Sequence, residues 1–435
     1  MLVCIEAAID GCVKLYGRIG AANLTVFCSR IDSGANLGRT KNVSKKTTEG
    51  GDATAPETIL THSGRASAEN FGYVNLPVFR GSTILFKTLD ELEDYQAPIR
   101  YGRNDNPTTN GFAQLVSELE GAAGTVICPS GLSAVSTALL AAVSAGDEVL
   151  VTDSAYDPTR IFSTEGLQRF GISTRFYDPR IGAGIAGLIT DKTKAIFVES
   201  PGSLTFEMQD LRAVVQAAHE RDVTVIVDNS WASPLFHQPL ALGADMVMHA
   251  ATKMLVGHSD AMVGTVSANE RLWPKLKRTH RILGVATSPD DSYLALRGMR
   301  TLALRMKHHS RQSLEFAQWL QGQPGVEQVY HPALPDDPGH AIFKRDFTGA
   351  GSLFAFRLTK RTRDNLAAMV NGFELFGMGY SWGGYESLCI PFNPSNIRTA
   401  VPWTAEGQMF RIHVGLEEIE DLKRDMAAAL ARYLA

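Results

Sequence analysis

Met246-Val-Met-His-Ala-Ala-Thr-Lys-Met-Leu-Val-Gly-His-Ser-Asp260 sets the reading of the whole 435-residue chain. A short apolar run, Met246–Met248, gives way to small residues and then to Lys253. A solvated surface lysine keeps polar company. A lysine at a strand end, set among Ala250, Ala251 and Thr252, is expected to be partly desolvated, which lowers its pKa and makes the neutral amine available. A Schiff-base lysine needs that state. Taken alone, the pattern also describes an ordinary loop lysine, so its partners elsewhere in the chain decide.

Outward from Lys253, the chain between Asn110 and Val266 alternates. Helical stretches (Phe112–Leu119, Ser133–Val143, Leu211–Ala218) separate short apolar runs at Val126–Cys128, Glu148–Thr152, Ala195–Val198, Val223–Val227 and Met246–Met248. Almost wholly apolar strands divided by helices predict an α/β fold around a mostly parallel sheet buried on both faces. In such sheets ligands bind at the carboxyl ends of the strands. Asp228 closes the run Val223–Val227, where a carboxylate can hold a ring nitrogen protonated; a helix cap is the plainer use. Ser130, Gly131 and Leu132 follow Val126–Cys128 and open a helix, a place where backbone N–H groups and the helix dipole favour a phosphate. Tyr156 lies just past Glu148–Thr152, at the same sheet edge, with a ring able to stack on a flat cofactor.

Two other patterns lead elsewhere. Gly182-Ala-Gly-Ile-Ala-Gly187 fits the dinucleotide fingerprint, but Asp178–Arg180 separates it from the strand Ser173–Tyr177 and Glu199 comes too early to serve the ribose. A glycine-rich loop leading into a short helix is expected there. His308 and His309 are adjacent, so on a helix they diverge and cannot readily share a metal; surface or interface positions are expected.

The charge balance of 42 basic against 46 acidic residues gives no global sign of nucleic acid or membrane, and no apolar run approaches the length of a bilayer span. Five scattered cysteines, without a C-x-x-C pair, suit free thiols in a reducing compartment, and neither disulfides nor a metal site is expected. A cytoplasmic protein is the resulting expectation. Residues 1–52 stand apart: to Thr48 they carry seven Lys/Arg against three Asp/Glu, which suits a loosely ordered extension, with an organelle transit peptide as the alternative. Residues 53–109 read as an irregular arm that reaches across a surface, with Tyr101 and Arg103 two apart and able to face a phosphate together. Residues 110–305 form the expected large domain and residues 306–435 a smaller α+β domain.

From about Thr61 onward the chain resembles the Cys/Met-metabolism family of pyridoxal-phosphate enzymes. The resemblance rests on V-N-L-P-V-F-R-G-S-T-I-L-F (74–86), Y-G-R (101–103), V-E-S-P-G-S (198–203), V-D-N-S-W-A (227–232) and A-A-T-K-M-L-V-G-H-S-D-A-M-V-G (250–264). It continues with K-R-D-F-T-G (344–349), Y-S-W-G-G-Y-E-S (380–387) and R-I-H-V-G-L-E (411–417). It implies the fold-type-I PLP-dependent transferase-like architecture and pyridoxal 5'-phosphate as cofactor. By the same resemblance Lys253 binds the cofactor covalently, Asp228 pairs its ring nitrogen and Tyr156 stacks on the ring. Ser130, Gly131, Leu132 and Thr252 would hold the phosphate, completed by Tyr101 and Arg103 from a neighbouring subunit. That implies a homo-oligomer, at least a dimer and usually a tetramer of paired dimers. Ala250 departs from the serine common in relatives and removes one phosphate donor. Arg411 would clamp the carboxylate of an amino-acid substrate. Ser381, Trp382 and Tyr293 resemble substrate-side positions of the β-lyase branch, which implies cleavage of L-cystathionine to homocysteine, pyruvate and ammonia, with Lys253 or Tyr101 as the proton donor to the leaving sulfur. The γ-acting lyases, synthases and sulfhydrylases of the family are the alternative; a non-catalytic PLP-binding protein is a more distant one.

Overall fold

The computed structural model describes residues 54–435. The expected extension, residues 1–52, lies outside them, as do Cys4, Cys12 and Cys28; Cys128 and Cys389 are free and buried.

The large sheet is built from β1 (Gly124–Cys128), β2 (Glu148–Thr152), β3 (Ser173–Tyr177), β4 (Thr193–Glu199), β5 (Thr224–Asp228), β6 (Met246–His249) and β7 (Gly264–Ala268). Its order is β1-β7-β6-β5-β4-β2-β3. β7 runs antiparallel to both β1 and β6, and the other pairs are parallel. Period-two alternation sorts the apolar residues to two faces. Val149, Val151, Phe197, Ile226 and Met248 join the helix Gly131–Ala142 in one core; Leu150, Ile196, Val198, Val225 and Val227 join the helix Leu211–His219 in another. A sheet covered on both sides leaves its strand ends as the accessible polar edge, and Glu199, Asp228 and His249 all terminate strands there.

The smaller sheet holds β8 (Val326–Tyr330), β9 (Leu353–Leu358), β10 (Leu388–Phe392) and β11 (Gln408–His413), all antiparallel, in the order β10-β11-β9-β8. One helix, Leu302–Gln321, runs unbroken through the point near residue 305 where the sequence changes character. It contributes Leu302 and Met306 to the core around Lys253's segment and Phe316 and Leu320 to the core of the small sheet. Its position corrects the expectation for the histidine pair. His309 is fully buried, with Nδ1 3.0 Å from the Val414 carbonyl, and only His308 keeps partial exposure. Burial pulls the His309 ring down to about 4, so it is neutral at physiological pH. Gly182–Leu188 forms a 3-10 turn beside the helix Leu211–His219.

Residues 54–106 hold few regular elements, and much of their apolar surface faces outward: Phe71 is 98% exposed and Leu85 90%.

Candidate active site

Lys253 sits in a turn rather than a helix, because its backbone is tied in three places. Its N–H donates to the Ala250 carbonyl at 2.9 Å, its carbonyl accepts from Gly257 at 2.8 Å, and Thr252 N–H donates to Val263 at 2.9 Å. Beneath it the buried Arg305 guanidinium donates to the carbonyls of Met254 at 2.7 Å, Leu255 at 3.4 Å and Gly298 at 2.8 Å. The lysine is therefore mounted on a rigid base while its chain projects toward the small sheet.

The Lys253 amine donates to Ser381 Oγ at 2.6 Å and lies 5.5 Å from the centre of the Trp382 ring. Burial, reinforced by the Arg411 guanidinium and opposed by Asp228, lowers its pKa to about 8. The desolvated amine anticipated from its small neighbours is present. In protein stripped of any bound small molecule, Lys253 should react with an amine-acylating reagent with a half-point near pH 8. A lysine at 10.5 is then well under about 1% neutral, so mass-resolved labelling against pH separates the two. A half-point near pH 10 would mean a solvated amine.

Around this amine the expected residues assemble in part. Asp228 Oδ1 accepts from Ser230 N–H at 2.9 Å, and Ser230 Oγ in turn accepts from Ala250 N–H at 2.7 Å. Burial pushes the Asp228 carboxyl up, against the pull of Ser230, His249 and Lys253. Asp228 forms no salt bridge among the described residues, so a ring N–H arriving beside it would meet a carboxylate in need of a cation. Tyr156 is half-exposed; burial, then Glu199, raise its hydroxyl pKa. Ser130 caps the helix Gly131–Ala142 by accepting from Ser133 N–H at 3.1 Å, leaving the Gly131 and Leu132 amides at the head of the helix. That helix start lies against the lysine segment: a Cβ on Gly131 would come within 2.6 Å of Ala250 Cβ. Arg411, on β11, is mostly buried and turns one nitrogen, Nη2, to the Gly379 and Ser381 carbonyls at 3.2 and 3.1 Å.

Four expected residues stand differently. Thr252 Oγ is already engaged with Val263, donating to its carbonyl at 3.2 Å and accepting from its N–H at 2.9 Å. Tyr101 and Arg103 keep each other's company, the guanidinium 5.9 Å from the ring, and Arg103 also donates to the Arg281 carbonyl at 3.3 Å. Neither bonds to Lys253, Asp228 or Arg411 within the chain. Tyr293 is half-buried on the helix Pro289–Met299.

Glu199 was passed over in the sequence because it was weighed only as a ribose ligand. It terminates β4 directly beside Asp228 in the parallel register, and its Oε2 accepts from Tyr156 N–H at 2.8 Å. Burial and the neighbouring Asp228 push it well above the usual carboxylate range. Its position after an apolar strand was the same signal that marked Asp228. Arg305 gives no local signal of its role, since the carbonyls it holds beneath Lys253, those of Met254 and Leu255, lie 51 and 50 residues away.

The donor set suits a flat, phosphorylated, aldehyde-bearing cofactor. A desolvated lysine can bond the aldehyde, a buried carboxylate can face a ring nitrogen, and a helix N-terminus packed on the lysine segment can take the phosphate. Residues 57–431 match the family described as Cys/Met metabolism PLP-dependent enzyme. The chain is 40% identical to the cystathionine beta-lyase of Salmonella typhimurium over 387 residues, 86% of this chain and 98% of that one. It is 39% identical over 387 residues, with the same coverage, to cystathionine beta-lyase MetC of Escherichia coli. Its fold matches the crystal structure of cystathionine gamma synthase from Xanthomonas oryzae pv. oryzae in complex with aminoacrylate and cysteine. The TM-score is 0.82 at 31% identity, covering 88% of this chain and 99% of that one. Matched from its arm to its last helix, the chain belongs to the Cys/Met metabolism PLP-dependent enzymes.

Proposed function

We propose that this enzyme is a PLP-dependent carbon–sulfur lyase that cleaves L-cystathionine by β-elimination, giving homocysteine, pyruvate and ammonia. The observation that carries the reading is the lysine amine held 2.6 Å from Ser381 and 5.5 Å from the Trp382 ring, with Arg411 donating to the Ser381 carbonyl of the same turn. The β-lyases among its relatives support the branch.

Pyridoxal phosphate supplies the aldehyde that takes up the substrate amine and a protonated ring that accepts the electrons freed at the α-carbon. The chain does the rest. Arg411 binds the α-carboxylate through its guanidinium fork, whose Nη1 and Nε are free of the turn carbonyls. Asp228 would hold the proton on the ring nitrogen, and Tyr156, beside the same strand ends, would stack on the ring. The Lys253 amine, lowered to about 8, takes the α-proton as general base and then, as an ammonium, is the first candidate to protonate the leaving sulfur. Trp382 closes the space where the distal arm of the substrate lies. Water completes the balance by hydrolysing the released three-carbon fragment to pyruvate and ammonia.

We also infer that the active unit is at least a dimer, with a tetramer of paired dimers as the expected assembly, working in the cytoplasm. The outward-facing apolar arm, and the fact that neither Tyr101 nor Arg103 bonds to Lys253 within its own chain, support a second copy: both residues are then available to a neighbour's phosphate and leaving group.

Mixing the purified enzyme with L-cystathionine and identifying the keto acid tests the reading. Pyruvate with one new thiol per turnover is expected. Release of 2-oxobutyrate would move the enzyme to the γ-acting branch, which the gamma synthase neighbour makes the nearest rival.

A further inference from the structure

The turn Ser381–Gly384 carries left-handed backbone at two positions, φ 71° at Ser381 and 89° at Gly383. A non-glycine residue in that region persists only where its surroundings hold it. The holders lie on a single strand. Arg411 and His413 are two apart on β11 and so share one face. Arg411 grips the near end of the turn at the Gly379 and Ser381 carbonyls.

His413 grips the far end. Its ring is fully buried, with Nδ1 2.7 Å from Ser352 Oγ and Nε2 3.1 Å from the Gly384 carbonyl and 3.3 Å from Gly383 N–H. A neutral imidazole carries one proton, and either placement fastens the turn. With Nε2 protonated, the ring donates to Gly384 while Ser352 donates to Nδ1. With Nδ1 protonated, it donates to Ser352 while Nε2 accepts from Gly383. Burial first, then His309, whose ring centre is 5.6 Å away, with Arg411 and Lys253, hold His413 down near 3 against the Gly384 carbonyl, so the clamp stays neutral at working pH. Gly383 transmits the grip directly: a Cβ there would stand 2.9 Å from the Lys253 carbonyl carbon and Met254 nitrogen.

We propose that His413 is a positioning residue for the elimination: by tying Gly383 and Gly384 to Ser352, it fixes Ser381 against the Lys253 amine and Trp382 over the pocket. It touches neither substrate nor cofactor. The proposal rests on the reading of Lys253 as the base, and deepens it by naming what sets that base's aim.

The test compares holoenzymes carrying His413→Leu and His413→Gln. Leucine fills the space without a hydrogen bond, while glutamine offers an amide near the Nε2 position. His413→Leu should lose about 10- to 100-fold in kcat, because the amine is misaimed, with KM for L-cystathionine within about threefold since Arg411 still binds the carboxylate. His413→Gln should recover most of kcat. Borohydride reduction followed by peptide mass analysis should find the cofactor fixed to Lys253 in the parent and in both variants, a readout independent of turnover. Parental kcat and KM in His413→Leu would overturn the proposal. So would a shared loss of kcat and thermal midpoint that glutamine does not mend, which leaves His413 a packing group. A parent enzyme not labelled at Lys253 would bring down the reading of the base, and this proposal with it.

Discussion

Lys253→Ala should turn over L-cystathionine at least about 10³-fold more slowly than the parent while still binding pyridoxal phosphate. Two losses combine. The α-proton no longer has a base, and a positioned general base contributes on the order of 10²–10⁴ in rate. The covalent anchor also goes, so on the proposed roles the cofactor would rest on its non-covalent contacts alone: the helix head at Gly131 and Leu132, Asp228, Tyr156, and Tyr101 and Arg103 of a neighbouring copy. Lys253→Arg is the sharper control. It keeps a cation near Ser381 and Trp382, but a guanidinium stays protonated and can neither bond the aldehyde nor take a proton. Both variants should therefore fail alike. Coupled keto-acid assays and the visible absorbance of bound cofactor measure the two losses separately. Residual activity within about tenfold of the parent, a barrier change of about 1.4 kcal/mol, would remove Lys253 from the chemistry.

Arg411→Lys should raise KM for L-cystathionine strongly and lower kcat/KM by about 30- to 10³-fold. Truncating one partner of a buried charge contact typically costs about 2–5 kcal/mol. Lysine preserves the charge but replaces a planar fork by a single point, so the two-pronged carboxylate contact cannot form. The structure adds a second expected effect. Nη2 of Arg411 also supports the carbonyls of Gly379 and Ser381, so kcat should fall modestly as Ser381 loses its place beside the Lys253 amine. Steady-state kinetics on L-cystathionine and on a smaller C–S substrate check this. An unchanged KM on both would place the carboxylate elsewhere.

Much of this site could be read from the sequence, because parallel α/β sheets gather chemistry at strand ends and the strands were apolar enough to find. β2 and β3 appear with the expected bounds, and Asp228 and Tyr156 fall where the ends of their strands put them. Two kinds of feature escaped. β7, Gly264-Thr-Val-Ser-Ala268, is buried yet carries two hydroxyl residues, and the Ser267 hydroxyl finds its partner across the strands, Thr125 at 2.8 Å. A search for apolar runs passes over such a strand. The buried polar residues of the helix Leu302–Gln321 escaped for a related reason. His309, Arg305 and Ser313 look like solvent-facing positions in a polar helix, and only the packing of two sheets around that helix hides them. The 381–384 turn stood out only through the family resemblance, and its anchor at His413 depends on a strand pairing that no local pattern announces.

The helix Leu302–Gln321 has a consequence for how such an enzyme changes over time. At one end its Arg305 holds the carbonyls beneath Lys253; further along, Ser313 donates to the Gly351 carbonyl at 2.9 Å and Gln312 to the Glu417 carbonyl at 3.1 Å, in segments that flank strands of the small sheet. One stiff rod thus joins the frame of the base to the frame of the carboxylate clamp, and rocking one against the other would mean bending an unbroken helix. On the proposed roles of Lys253 and Arg411, that helix would set the distance between the two ends of the substrate's amino-acid head. What remains free to drift is the short turn hung between them, so new sulfur substrates are reachable by rewriting a handful of loop residues while the scaffold that performs the proton transfer is left as it is.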